Sequence, residues 1–86
     1  MLVFLLGCAT APVQEMSDAR QAIAAAEEAG AEDRALDALV DARQYLADAE
    51  RSLQSRSYSM ARTHALSAKN KAVEALATSQ GSSAEP

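Results

Sequence analysis

The stretch LDALVDARQYLADAERSLQ, residues 36–54, decides the fold of this chain. Leu36, Leu39, Val40, Leu46 and Leu53 recur at spacings of three, four and seven, which places them on one stripe of an α-helix, and Ala42, Ala49 and Tyr45 widen that stripe. A period of two, as a half-buried strand needs, is absent, and the intervening Asp, Arg, Gln and Glu suit a solvated helical face. The spacing predicts a helix that begins near Asp33 and ends near Gln54.

Downstream, Ser55-Arg56-Ser57 interrupts the pattern with residues that favour turns and caps, and Ser57 stands where an N-cap is needed. A further helix is predicted from Tyr58 to Thr78, with Tyr58, Ala61, Ala65, Ala68, Ala72 and Leu76 facing inward and Leu66 and Val73 broadening the face. Upstream, Val13 to Ala29 is rich in Ala, Gln, Glu and Arg, and Val13, Met16, Ala19, Ile23 and Ala26 mark a narrow apolar face. Gly30 follows as the left-handed residue that closes this helix.

The expected fold is therefore all-α, a small bundle of about three helices. Short connections make neighbours antiparallel, and the last two helices form a C-terminal αα-hairpin. Whether the first helix docks on that hairpin is left open, because its apolar face is weak and Gly30 loosens its attachment. The helical domain is read over 13–79 and a disordered polar tail over 80–86. Alanine faces allow close approach but bury little area each, so the core is thin for a chain of 86 residues.

Charge divides unevenly. Glu15, Asp18, Glu27 and Glu28 oppose Arg20 in the first helical segment, and six acids oppose Arg34, Arg43 and Arg51 in the second. Arg56, Arg62, Lys69 and Lys71 outnumber Glu74 in the third, so attraction is expected to draw it onto the acidic pair. The overall charge of -4 and the scarcity of aromatics (Phe4, Tyr45 and Tyr58, with no Trp) argue against nucleic acid as a partner.

The first eight residues, Met1-Leu-Val-Phe-Leu-Leu-Gly-Cys8, are apolar and too short to span a bilayer. Leu5-Leu6-Gly7-Cys8 resembles the bacterial lipobox, with a leucine three residues before the cysteine and a small residue just before it. That resemblance implies signal-peptidase recognition through Leu5, Leu6 and Gly7, loss of residues 1–7, and a lipid on Cys8. Several acyl chains exceed the one-chain threshold for stable anchoring. Residues 8–12 become a lipidated linker, with Pro12 suited to extended chain or a helix start. A lone cysteine also excludes a disulfide within the chain.

Catalytic and cofactor signatures are weak. His64 has no second histidine or free cysteine with which to build a zinc site. Glu27 beside Glu28, and Asp37 four residues before Asp41, read as solvated faces more readily than as acid–base pairs. The serines at 52, 55, 57 and 59 have no base and orienting partner at motif spacing. Neither GxxxxGK[ST] nor GxGxxG occurs, so no cofactor is expected and the chain is read as a non-enzyme. Tyr45 and Tyr58 are candidate interaction residues, read as flanking the turn and closing the open end of the hairpin.

Cys8, the Ala-Glu-rich first helix, Gly30, and the hairpin from Leu36-Asp37-Ala38-Leu39-Val40-Asp41-Ala42-Arg43 to Ser57-Tyr58-Ser59-Met60-Ala61-Arg62 together resemble a family of alanine-rich bacterial lipoproteins, a domain of unknown function. Members occur alone or ahead of an OmpA-like peptidoglycan-binding domain. The usual turn before the tyrosine carries glycine with an acidic or amide residue, where this sequence has Arg56-Ser57. The resemblance implies a helical spacer or protein-interaction module in the envelope, tethered to the outer membrane on its periplasmic side, with Ala9 after the cysteine as the outer-membrane address. The expected partners are the membrane, through the lipid, and an envelope protein, with a homo-oligomer left open. A murein-lipoprotein-like structural oligomer, coiled between chains and linking membrane to cell wall, is the alternative.

Overall fold

A computed structural model describes residues 11–84, with side chains through Gly81. Its elements, in chain order, are α1 (Val13–Glu28), α2 (Ala31–Arg34), α3 (Leu36–Gln54) and α4 (Tyr58–Ala84). Among the described residues every regular element is a helix. The fold is a small all-α bundle ending in an antiparallel hairpin, as the periodicity indicated.

Pro12 starts α1. Its φ of -80° and ψ of 60° form a tight γ-type turn, in which the Val13 amide donates to the Ala11 carbonyl at 2.8 Å. The Pro12 carbonyl then accepts from the Met16 amide at 3.0 Å, and the ring itself is buried. At the other end Gly30 takes φ +88° and turns the chain out of α1, the left-handed role expected of it.

The second predicted helix is divided. Ala31–Arg34 forms a single turn, Ala35 leaves helical geometry at φ -149° and ψ 48°, and α3 begins at Leu36 rather than near Asp33. The elbow lets Ala31 and Leu39 enter one apolar cluster with Ile23, Ala26, Ala42, Ala72 and Ala75.

The chain leaves α3 through a Schellman turn. The Ser57 amide donates to the Ser52 carbonyl at 2.8 Å and the Arg56 amide to the Leu53 carbonyl at 3.0 Å. Arg56 sits at the left-handed position of that turn, φ +62°, where glycine is the residue without a steric cost. Ser57 then precedes α4 as expected, its carbonyl accepting from the Ala61 amide at 2.9 Å.

With 27 residues, α4 is about 40 Å long and is the spine of the molecule. Both α1 and α3 pack along it, and they meet each other far less. α3 returns antiparallel to α4. α1 runs parallel to it, since Glu15 near the start of α1 pairs with Arg62 near the start of α4, and Ile23 and Ala26 cluster with Ala72 and Ala75 further along. The first helix is docked, which answers the question its sequence left open.

The contact stripe of α4 is Ala61, Ala65, Ala68, Ala72, Ala75 and Ser79, spaced alternately by four and three, all buried. Alanine carries no side chain beyond Cβ, so two helices approach α4 closely at once. The larger side chains of the core are Met16, Ile23 and Leu39, with Leu46, Leu53 and Leu76 half-buried at its edges.

Several expected core positions lie outside. Val13, Leu36, Val40, Leu66 and Val73 are exposed, between 43% and 72%. The closeness of alanine packing explains this, because each helix is covered over a narrow arc and a residue about 100° from the stripe centre already meets solvent. α4 also continues six residues beyond the expected end at Thr78, so Gln80 and Gly81, read as tail, are helical. Ser79 carries the seam onward because its hydroxyl donates back to the Ala75 carbonyl at 2.9 Å, which gives a buried polar group a hydrogen-bond partner.

Candidate functional site

The residues expected to carry attachment, Leu5, Leu6, Gly7 and Cys8, lie outside the described residues. The two tyrosines lie inside them, and the structure does not bring them together. Tyr58 is the first residue of α4, at the hairpin turn, whereas Tyr45 precedes Gln54 by nine residues, roughly 13 Å along the axis. Tyr45 is half-buried and near Lys71 of α4, not at the mouth of the hairpin. The Lys71 ammonium is pushed up by its hydrogen bond to Glu74 at 3.2 Å and by the charge of Glu74, with smaller contributions from Asp41 and Tyr45.

The most organised polar constellation joins α1 to α3, the pair that meets least among the three long helices. The Arg43 guanidinium donates to Glu27 of α1 at 2.7 Å and to Glu32 of α2 at 3.0 Å. Those bonds, that to Glu27 first, push its pKa above the ordinary arginine value. Arg20 of α1 donates to Glu50 of α3 at 3.2 Å. The expected attraction of the basic third segment is present as the Arg62–Glu15 contact at 3.4 Å. The other inter-helix pairs tie together the two segments that are acidic overall, through arginines embedded in them.

The pattern was readable and missed. Arg20 and Glu27 stand seven apart on one face of α1, and Arg43 and Glu50 stand seven apart on one face of α3. Laid antiparallel, the two faces form Arg20–Glu50 and Arg43–Glu27. Laid parallel, they would set arginine on arginine.

A shallow hollow of about 350 Å³ opens where the α2–α3 elbow faces the distal half of α4, lined by Asp33, Arg34, Leu36, Asp37, Glu74 and Thr78 among others. Its acids are exposed, so water solvates them. His64 is half-buried on α4, and among the described residues no group of three or more His, Cys, Asp or Glu side chains is placed to hold a metal ion. Glu27 is engaged by Arg43, while Asp37 and Asp41 are exposed on α3. Among the described residues no helix is long and apolar enough to cross a membrane.

A family model for a domain of unknown function, DUF4398, matches residues 14–85, which span α1 through α4. The chain belongs to the DUF4398 family. The DUF4398 domain thus takes in the alanine seam, the elbow and the arginine clasps, and the expectation of a domain of unknown function stands. No curated protein and no solved structure matches the chain.

Proposed function

We propose that this DUF4398 chain is a non-enzymatic envelope lipoprotein, lipidated on Cys8 and holding its helical domain on the periplasmic side of the outer membrane as a spacer or protein-interaction module. The observation that carries the reading is Leu5-Leu6-Gly7-Cys8 standing four residues before Pro12, which starts the first helix. A lipobox needs an accessible cysteine followed by a short tether, and Ala9-Thr10-Ala11 supplies one. Acyl chains there hold the domain at a bilayer at about 0.8 kcal/mol per buried methylene.

The shape supports a spacer. α4 is about 40 Å long, and α1 and α3 lie along it. A rod with its first helix next to the tether carries a partner away from the membrane surface.

Cell fractionation with and without globomycin tests the proposal. The chain is expected in the outer-membrane fraction, with an uncleaved precursor accumulating when the lipoprotein signal peptidase is inhibited. A product found in the cytoplasm and unaffected by the inhibitor would overturn it.

A further inference from the structure

α4 carries two stripes. Opposite its buried alanine seam, Thr63, Leu66, Asn70, Val73 and Ala77 recur at alternating spacings of three and four, and all five are exposed, Leu66 at 43% and Val73 at 47%. In heptad positions Thr63, Asn70 and Ala77 fall at a and Leu66 and Val73 at d, while the buried seam occupies c and f of the same repeat. The outward face of a surface helix normally carries its charges. Here no charge lies on the stripe, and the flanking charges stand at its margins, Arg62 and Lys69 at g and Glu74 at e.

We propose that this face is where a second copy of the chain docks, the two α4 helices forming a parallel two-stranded coil. The charges select both partner and direction. A parallel pair sets g of one helix against e of the other five residues on, so Lys69 meets Glu74 of the second copy, twice by symmetry. An antiparallel pair would set g against g and bring Arg62 and Lys69 of the two copies together. Among the described residues Lys69 forms no ion pair. The Glu74 carboxylate holds Lys71 at 3.2 Å in a pair 57% exposed on the glutamate side, a contact weak enough to be shared. Asn70 meets its own copy at an a position, where a single asparagine fixes register and favours two strands. Thr63, Asn70 and Ala77 fill places where permanent coils carry large aliphatics, so the association is reversible and concentration-dependent. It does not depend on the lipid at Cys8.

Sedimentation equilibrium of the full chain carrying Cys8→Ser, from micromolar to millimolar concentration, tests the proposal. The mass should climb from the 9.0 kDa of one chain towards twice that value. Val73→Glu should hold it at one chain while leaving the helical circular dichroism and the melting of the dilute protein unchanged, since Val73 lies outside the core. Lys69→Glu should weaken association, and adding Glu74→Lys should restore it. A single-chain mass at every concentration would overturn the proposal. So would association that survives Val73→Glu, the result expected if the apolar first residues, and not α4, brought the copies together.

Discussion

The Arg43 guanidinium on α3 lies 2.7 Å from the Glu27 carboxylate on α1, bridging the two that meet least among the three long helices. Seven residues away on each helix, Arg20 and Glu50 repeat the pair in the opposite sense at 3.2 Å. Both pairs are about half exposed, so each contributes on the order of 0.5 kcal/mol, enough to bias orientation and too little to hold the fold.

Arg43→Glu should therefore lower stability by about 1 kcal/mol, because it replaces two attractions with two repulsions at a solvated site. Amide hydrogen exchange should quicken in α1 and remain slow in the α3–α4 hairpin. Adding Glu27→Arg should recover part of the loss, and concentrated salt should narrow the gap between variant and parent. Equal quickening in all helices would show that α1 does not open separately.

Leu39 is the largest fully buried side chain, in a core otherwise built mainly of alanine. Leu39→Ala should cost about 3 kcal/mol, a large part of the stability of so small a domain, read as a lowered urea midpoint. Leu36→Ala, at a position 49% exposed three residues away, should cost well under about 1 kcal/mol.

Alanine in the seam is needed for its size. Ala68→Leu should destabilise by about 1–3 kcal/mol, since Ala68 is fully buried and added atoms must push its surroundings apart. Ala24→Leu, on the exposed face of α1, should leave the thermal midpoint nearly unchanged.

The two left-handed residues make opposite predictions. Gly30 at φ +88° has nothing closer than Arg34 side-chain atoms at 4.0 Å from an added Cβ, so Gly30→Ala should cost about 1 kcal/mol through backbone conformation alone. Arg56 at φ +62° already bears that cost, and Arg56→Gly should raise stability by up to about 1 kcal/mol. Thermal melts of the two variants, displaced in opposite directions from the parent, check both.

Helix identity and the alanine seam were legible because Ala61, Ala65, Ala68 and Ala72 repeat at spacings no strand uses. The seam's last layers were not. Ala75 competed with the more apolar Leu76, and Ser79, one residue past the predicted helix end at Thr78, joins the seam only once its hydroxyl is seen bonded back to the Ala75 carbonyl. Val40 and Leu66 looked like core by hydrophobicity, but coverage depends on how near the neighbouring helix lies, and periodicity does not carry that distance. The elbow at Ala35 was invisible because alanine is the best of helix formers and no residue there marks a break. Of the candidate site, Tyr45 and Tyr58 were each located on a helix, yet their separation along the hairpin required the register between α3 and α4.

The attachment at Cys8 is tested most directly by the intact mass of the protein isolated from its native membrane. The expected product is a chain beginning at Cys8, heavier than its amino-acid sequence by a diacylglyceryl group and an amino-terminal acyl chain. A product that retains Met1 to Gly7, or that shows an unmodified thiol at Cys8, would contradict it.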